Sequence, residues 1–389
     1  MSGTLYPIDE SDLSDAVSGA IGPLQILGGG TRPIGRIIKA QKLSTEMLKG
    51  IVTYEPGALT MVAKSGTPIA EIQTELAAEN QRLAFEPMDY RGLLDTDGAP
   101  TLGGVVAANV SGPRRIQVGA ARDFTLGLSF VDGNGQLLKN GGRVMKNVTG
   151  YDLVKLMAGS WGTLGVLSEV ALKVLPASET QTTLEIHVTS WEQAVGCMSA
   201  ALRTPFDVSG AATQCDKYGK IGVLVRVEGF EASVVYRIEQ LKAKLSEFGN
   251  ITELPDPWLE VKNLNSWKPL NTVWRISVRP TDALKILELM RLLQKDRGFQ
   301  CQLDWGGGLI WIGLNVEQAN DVASCTQVHE SLQVLVATLG GHANLIKSKI
   351  LSNLDITHFQ PLPRAVSIIT KTLRQKFDPR GILNPQRMS

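Results

Sequence analysis

Closely spaced glycines in residues 101–176 constrain the fold of this chain more than any other feature. The stretch opens with TLGGVVAANVSGP and closes with GSWGTLGVLSEVALKVLP. An earlier run, Gly28-Gly29-Gly30, directly follows the apolar residues 24–27. Glycine lets the backbone approach a ligand closely, and consecutive N–H groups in such a loop form a nest for an anion. Alone, the first run is also typical of a plain turn, but together the two runs predict a site for a phosphate-bearing ligand.

The composition sets outer limits on the fold and on the partners. The chain has 389 residues, of which 43% are hydrophobic and 20% charged, and these values suit two or three globular domains. A formal net charge of +1 gives no basic footprint for nucleic acid. Four widely separated cysteines without a C-x-x-C pair predict reduced thiols rather than an iron–sulfur or zinc site. Without a secretory leader pattern or an apolar run long enough for a bilayer, we expect a cytoplasmic protein with no membrane span.

The order of predicted elements changes after Pro176. Up to that residue, short strands and helices alternate with glycine loops, and we assign residues 1–176 to a ligand-binding domain. Residues 177–348 then predict strand, helix, strand, strand, helix twice in succession, which is the ferredoxin-like arrangement duplicated. Residues 349–389 form a C-terminal segment. This order predicts an α+β fold rather than a single doubly wound parallel sheet.

A helix is predicted near the C-terminus, over residues 363–377. Val366, Ile369, Leu373 and Phe377 recur at helical spacing within it. We therefore expect this face to be buried against the rest of the protein. An irregular segment bounded by prolines, DPRGILNP, follows directly.

The glycine loops and DPRGILNP carry a resemblance that covers nearly the whole chain. At residues 28–31, 101–112, 159–166 and 378–385 the sequence resembles flavoproteins of the vanillyl-alcohol-oxidase type, the FAD-linked oxidases. Within that family it looks like the FAD-binding subunits of bacterial glycolate oxidases. The resemblance implies a two-subdomain FAD-binding domain, a cap domain over 177–348, and a C-terminal segment that returns to the first domain.

The cofactor implied is FAD. Its diphosphate is expected over the first glycine loop, and the family contacts the rest of the cofactor with the later glycine stretch, including an asparagine at the position of Asn109. The first loop holds Thr31 and Arg32 but no histidine or cysteine for covalent attachment, so we expect non-covalent binding. The residues expected to contact FAD are Gly28, Gly29, Gly30, Thr31, Thr101, Gly103, Gly104, Asn109, Gly162, Gly165 and Val166.

Candidate catalytic residues are few. Arg275 lies on a predicted cap strand that could face the flavin, where a guanidinium can hold a carboxylate in a bidentate fork. A salt-bridged sheet residue is the alternative for the same arginine. His342 follows two glycines at a place where catalytic relatives carry histidines that bind substrate or metal. This chain has no second histidine there, so we expect no metal site.

Three tryptophans are candidate functional residues. Trp305, followed by three glycines, could line the same cleft as Arg275 or simply pack in the core. Trp258 and Trp267 fall in a linker between the two repeats and suit an exposed partner surface. Tryptophans packed under a loop are the commoner case.

The resemblance implies an oxidoreductase subunit that oxidises glycolate, or another small 2-hydroxy acid, with FAD. Its partners would be a catalytic FAD subunit and an iron–sulfur subunit that passes electrons to quinone. Through them the chain would be peripheral at the inner face of the cytoplasmic membrane. Two alternatives stay open: a non-catalytic flavin-binding scaffold subunit, and a stand-alone FAD-dependent oxidase of another small hydroxy acid or alcohol.

Overall fold

The computed structural model describes residues 3–36, 39–143, 150–215, 219–295, 297–315, 321–351 and 356–388. The strands of its N-terminal part are β1 (Leu24–Leu27), β2 (Gln41–Ser44), β3 (Ile51–Glu55), β4 (Thr60–Lys64), β5 (Gln81–Arg82), β6 (Thr125–Val131), β7 (Leu137–Gly141), β8 (Val166–Lys173) and β9 (Leu175–Pro176). The helices of this part are α1 (Glu10–Ser18), α2 (Ile69–Ala78), α3 (Arg91–Leu94), α4 (Leu102–Ala107), α5 (Arg115–Val118), α6 (Ala121–Phe124) and α7 (Leu153–Met157).

The N-terminal part is built on two main sheets. Strands β1 and β2 pair in parallel, and a five-stranded antiparallel sheet has the order β3-β4-β8-β6-β7. The C-terminus returns to β1, because the Leu24 amide donates to the Ile382 carbonyl at 2.7 Å. The Asn384 amide donates in turn to the Leu24 carbonyl at 3.0 Å. This return brings the C-terminal segment beside the first glycine loop.

The cap follows Pro176, and its elements match the predicted repeat. The first unit contains β10 (Thr180–Val188), α8 (Trp191–Leu202), β11 (Val208–Cys215), β12 (Ile221–Gly229), α9 (Glu231–Leu245) and β13 (Ile251–Leu254), and α10 (Trp258–Asn263) leads out of it. The second contains β14 (Thr272–Ser277), α11 (Ala283–Leu293), β15 (Gln300–Asp304), β16 (Leu309–Leu314), α12 (Asp321–Thr338) and β17 (His342–Ser348).

The two cap sheets have the same antiparallel strand order, β11-β12-β10-β13 and β15-β16-β14-β17. This identity confirms the duplicated ferredoxin-like arrangement and the α+β class. The sequence pattern does not predict β13, the closing strand of the first unit, which has four residues and two exposed side chains. So short and half-exposed a strand leaves little hydrophobic periodicity to detect.

Packing decides two expectations about apolar side chains. Trp258 and Trp267 are buried, with 3% and 6% of their surface exposed, so they follow the commoner alternative of packing in the protein and do not form an exposed partner surface. The buried face expected for the C-terminal helix was wrong. The C-terminal helix α13 (Arg364–Phe377) has no buried residue, and Val366 and Ile369 are 45% and 61% exposed. Spacing identifies an apolar helix face, but only packing decides whether another element covers it.

An arginine–glutamate cluster joins the N-terminal part to the first cap unit. It contains Arg82, Glu86, Arg114, Arg226 and Glu228. Both Arg226 terminal nitrogens donate to Glu86, at 2.9 and 3.0 Å. The Arg114 Nε and Nη2 donate to Glu228, at 2.8 and 2.7 Å. The cap therefore donates one bidentate pair of hydrogen bonds to the N-terminal part, and the N-terminal part donates another to the cap.

Burial gives this cluster its energetic weight. Arg226 is 1% exposed, and its guanidinium lies 4.4 Å from the ring centre of Trp258. Burial alone would raise the pKa of Glu86, but the charges of Arg226 and Arg114 more than offset it and lower that pKa. For Glu228, too, burial is outweighed, by hydrogen bonds and charge from the arginines, and its pKa falls well below its usual range.

No helix in the described ranges is both long and apolar enough to cross a bilayer.

Removing one partner from the cluster should destabilise the protein strongly. Arg226→Met leaves the Glu86 carboxylate without its bidentate partner, so we expect the free energy of unfolding in urea to fall by about 3–5 kcal/mol. Arg291 provides a matched control, because it lies 4.0 Å from Glu192 and both side chains are more than half exposed. Arg291→Met should cost less than about 1 kcal/mol. Equal losses in the two variants would contradict a stabilising role for the cluster.

The cluster should also make stability depend on acid pH. The folded-state pKa values of Glu86 and Glu228 lie below the ordinary value of 4.5. Their stabilisation is therefore present above about pH 4.5 and is lost as the pH falls through the lowered folded values. Urea midpoints measured from about pH 7 to about pH 3 should fall more steeply for the wild type than for Glu228→Gln. Parallel curves would show that folding does not lower the pKa of Glu228.

Candidate functional site

Every site residue predicted from the sequence lines one of two adjoining cavities. The first is narrow, with a volume of about 100 Å³, and the second is a cleft of about 690 Å³. Ala108 and Trp161 line both, so the two cavities adjoin. Asn109, Arg275 and His342 line the cleft. The first cavity is lined by the other predicted residues, Gly28, Gly29, Gly30, Thr31, Thr101, Gly103, Gly104, Gly162, Gly165 and Val166.

Close neighbours leave no room for a side chain at two positions of the first glycine loop. A Cβ on Gly28 would lie 2.2 Å from the Thr101 hydroxyl oxygen, and one on Gly29 would lie 1.9 Å from the Ala99 carbonyl oxygen. Thr101 is also the N-cap of α4, where its hydroxyl accepts from the Gly104 amide at 3.3 Å. The loop and the start of α4 therefore pack directly on each other and form one wall of the cavity.

The C-terminal segment links the two glycine regions through Asn384. Its side-chain oxygen accepts from the Ile26 amide at 2.8 Å, and its side-chain nitrogen donates to the Trp161 carbonyl at 2.8 Å. Trp161 itself has a φ of 55°, a left-handed conformation that bulky residues rarely adopt. One asparagine thus fixes both strand β1 and the turn before Gly162.

Two arginines that the sequence analysis did not select enter the first cavity. Arg32 and Arg387 line it, and burial lowers the pKa of each to about 10, which leaves both cationic at neutral pH. Arg387 is 6% exposed and donates from Nη2 to the Arg32 carbonyl at 3.0 Å. Its buried Nε finds no hydrogen-bond partner within the described part of the chain. The cavity therefore presents positive charge and an unused donor.

The cleft is floored by one face of the second cap sheet. In the antiparallel pairing of β14 with β17, Arg275 lies opposite Asn344 and Ser277 lies opposite His342. Paired residues, and residues two apart on one strand, share a face of a sheet. All four line the cleft. Alternation along β14 and β17 thus gathers four polar side chains on this face.

Arg275 rests on tryptophan rather than on a carboxylate. Its guanidinium lies 5.1 Å from the ring centre of Trp305 and 5.9 Å from that of Trp311. Across the residues whose positions the structure gives, no ion pair joins Arg275 to an acidic side chain. The alternative of a salt-bridged sheet residue has no support from these contacts. Burial lowers the pKa of Arg275 from its ordinary value, although the group remains cationic at neutral pH.

His342 stands at the rim of the same face. Although this residue is exposed at the start of β17, desolvation within the cleft, followed by the charges of Arg275 and Arg115, lowers its pKa to about 4. The imidazole is therefore neutral at pH 7 and has a nitrogen free to accept a proton. Among the described residues no three histidine, cysteine, aspartate or glutamate side chains gather as metal ligands.

Asn109 lines the cleft, and its side chain is used in a turn of the chain itself. It adopts a φ of 49°, and its side-chain oxygen accepts from the Arg122 amide at 3.0 Å. The asparagine therefore fixes the turn that leads from α4 to α6. Asparagine tolerates a left-handed conformation better than most residues, which explains its use at this turn.

Comparison with known proteins agrees with this geometry. A family model described as an FAD binding domain matches residues 2–141. The chain is 32% identical over 369 residues to "Glycolate oxidase subunit GlcE" of Escherichia coli (strain K12), which covers 94% of this chain and 92% of that protein. It is 31% identical over 184 residues to the D-lactate dehydrogenase of Archaeoglobus fulgidus, which covers 46% of this chain and 40% of that protein.

A solved structure shares the fold at much lower sequence identity. The 4-ethylphenol oxidase from Gulosibacter chungangensis superposes with a TM-score of 0.72 and 14% identity, covering 99% of this chain and 88% of that chain. The match to GlcE, nearly complete in both chains, shows the family, and the matched domain shows that the cofactor is FAD. The chain therefore belongs to the FAD-linked oxidoreductase family of the glycolate oxidase subunit GlcE.

Proposed function

We propose that this chain is the FAD-binding subunit of a 2-hydroxy-acid dehydrogenase complex of the glycolate oxidase type. One observation carries the proposal: the arginine-bearing first cavity adjoins a cleft that is lined by Arg275 and His342. A cofactor that runs from the first cavity into the cleft would bring its reactive end to these two side chains. The relative named as a glycolate oxidase subunit supports the same assignment.

The first cavity suits the phosphate-bearing part of FAD, held without a covalent bond. Arg32 and Arg387 are cations there, and the Arg387 Nε is a buried donor with no partner in the described chain. A diphosphate is doubly anionic and rich in acceptors, so it would satisfy both charge and hydrogen bonding. The glycines predicted from the sequence form the surrounding walls.

The cleft residues suit a 2-hydroxy acid. Arg275 would hold the carboxylate in a fork and so orient the carbon that bears the hydroxyl group. The neutral His342 would accept the hydroxyl proton, because a base of lowered pKa is unprotonated at neutral pH. FAD, when bound, supplies the two-electron acceptor for that carbon.

We also propose the partners. A catalytic FAD subunit and an iron–sulfur subunit would accept electrons from this chain and pass them to quinone at the cytoplasmic face of the membrane. Support comes from the relative's name, which is that of one subunit. A scaffold subunit without turnover and a stand-alone oxidase are the competing functions.

Partner dependence separates these functions. We expect the purified chain to bind FAD yet to oxidise glycolate and D-lactate slowly, and co-expression with its two partner subunits to raise glycolate-dependent dye reduction. Dye reduction with and without partners is the measurement, and flavin absorbance of the isolated chain under anaerobic conditions is the control. Rapid bleaching of the isolated chain by glycolate, at the rate of the complex, would favour a stand-alone enzyme.

Arg387 should determine FAD affinity. Removing its charge and donors in Arg387→Met should weaken FAD binding by about 10- to 100-fold, the usual effect of losing charge-assisted hydrogen bonds. Arg380 in the same segment gives a control, since it donates to the Gly133 carbonyl at 3.0 Å and does not line the first cavity. The measurement is FAD affinity from flavin fluorescence on titration of the stripped protein. Unchanged affinity in Arg387→Met would refute this role.

The His342 role should appear in the pH profile of flavin reduction in the complex. A base with a pKa of about 4 stays neutral down to about pH 5, so the rate should be level above that pH and fall only near pH 4. His342→Gln should lower the reduction rate by about 100- to 10,000-fold, with little change in substrate affinity. His187→Gln is the control. The His187 side chain lies 3.7 Å from the Glu185 carboxylate and does not line the cleft.

Return of each sample to neutral pH separates titration from acid unfolding. A midpoint near 6.5, or full activity in His342→Gln, would contradict proton transfer to this imidazole. If the complex turns over glycolate while the flavin bound to this chain is not bleached, the scaffold function would be favoured instead.

A further inference from the structure

Two arginines from different parts of the chain converge on one tryptophan in the cleft. The guanidinium of Arg115, at the start of α5, lies 4.5 Å from the ring centre of Trp305, and that of Arg275 lies 5.1 Å from it. Trp305 is 9% exposed, and its Nε1 donates to the Gly112 carbonyl at 3.0 Å. The indole is therefore fixed, and it holds both guanidinium groups beside the same space.

The sequence neighbours Arg114 and Arg115 differ completely in their surroundings. Arg114 is neutralised by Glu228 in the arginine–glutamate cluster. Arg115 lines the cleft, and among the described residues no acidic side chain forms an ion pair with it. The start of α5 thus carries two adjacent cations, Arg114 with carboxylate partners and Arg115 with none among the described residues.

The acids near the two cleft arginines are already engaged. Asp304 accepts from the Trp305 amide at 2.6 Å, and burial raises its pKa to about 7, so it is only a partial counter-charge at neutral pH. Asp123, near Arg115, accepts from the Ala120 amide at 2.9 Å and is half exposed. Burial and the charge of Arg275 lower the pKa of Arg115, as expected for two cations held close together.

Two adjacent unpaired cations in a shielded cleft are stabilised by a ligand that brings two negative charges. A single carboxylate has two oxygens, and a bidentate fork from Arg275 uses both of them. Arg115 is then left for a second anionic group. The cleft volume of about 690 Å³, with Asn344 and Gln360 on its wall, leaves room for a longer acid.

We infer that this cleft takes 2-hydroxy acids that carry a second acidic group, with Arg275 on the carboxylate next to the hydroxyl-bearing carbon and Arg115 on the distal acid. The inference rests on the proposed function, because it assumes that Arg275 binds the substrate carboxylate. It makes Arg115 a specificity-determining residue for the second charge.

Succinate and butyrate test this inference directly, because they have equal chain lengths, differ by one carboxylate and cannot be oxidised as alcohols. Their dissociation constants would be measured on the FAD-loaded full chain from the perturbation of flavin absorbance. We expect the wild type to bind succinate at least about 10-fold more tightly than butyrate, the effect of one charge-assisted fork. Arg115→Met should abolish that preference, and Arg115→Lys should keep part of it.

Two further variants complete the design. Arg275→Met should weaken binding of both acids, whereas Arg122→Met, which removes a half-exposed cation paired with Asp123, should leave the preference intact. An equal loss of both acids in Arg115→Met would make Arg115 merely structural and overturn the inference. Butyrate binding that depends on Arg275, without any preference for succinate, would also overturn it while leaving the proposed function standing.

Failure of the proposed function gives a different result. If neither acid perturbs the flavin of the loaded protein, or if Arg275→Met changes nothing, then the cleft does not bind carboxylates through Arg275. Anaerobic flavin reduction by D-malate and by D-2-hydroxybutyrate provides a second readout in the complex. We expect Arg115→Met to raise the half-saturating concentration of D-malate about 10-fold and to leave that of D-2-hydroxybutyrate unchanged.

Discussion

The crossed forks between Arg226 and Glu86, and between Arg114 and Glu228, are the contacts on which the rest of the site depends. Glu228 is buried, Glu86 is only 14% exposed, and each carboxylate touches at least two arginines, so no single member can leave without stranding a charge. Because two members belong to strand β12 of the cap and the others to the N-terminal part, the pairs fix both the spacing and the rotation of the two parts. Bidentate geometry gives this interface a directional precision that apolar packing alone would not give.

The duplicated cap uses its two sheets for different purposes. The first sheet presents Arg226 and Glu228, which meet partners and lock the cap in place. The second presents Arg275, Asn344 and His342 to an open cleft, and in the described residues these side chains form no ion pair. Trp305 joins the two purposes, because it hydrogen bonds to the N-terminal part and supports Arg275. The same fold unit thus yields one anchoring surface and one binding surface.

Much of the fold followed from the sequence because its signals are local. The repeat was visible as alternating strand and helix periodicities, and Gly28 and Gly29 marked a loop where the backbone must approach another segment. Such patterns depend on residues close together in the chain. The glycines and threonines predicted to contact FAD line the first cavity, and they belong to such local patterns.

The missed residues are those whose role depends on distant contacts. Arg32 and Arg387 are separated by most of the chain and meet only because the C-terminal segment returns to β1. Arg115 could not be distinguished from Arg114 by sequence, since burial and counter-charges decide their roles. The apolar face of α13 was predicted to be buried, but it is not. Residue spacing shows that a helix is amphipathic, and it does not show whether another element covers the apolar face. Long-range pairing and solvent exposure therefore account for the errors.

The central claim is that the arginine–glutamate cluster positions the cap surface over the cofactor. The most direct test is the dissociation constant of butyrate for FAD-loaded Arg226→Met, set beside the FAD affinity of the same variant. The account predicts butyrate binding at least about 10-fold weaker than in the wild type, as displacement of Arg275 removes a charge-assisted fork, with FAD affinity changed less than about twofold. Unchanged butyrate binding in a variant that has lost the expected stability would show that the cap keeps its position without the cluster, and would contradict the account.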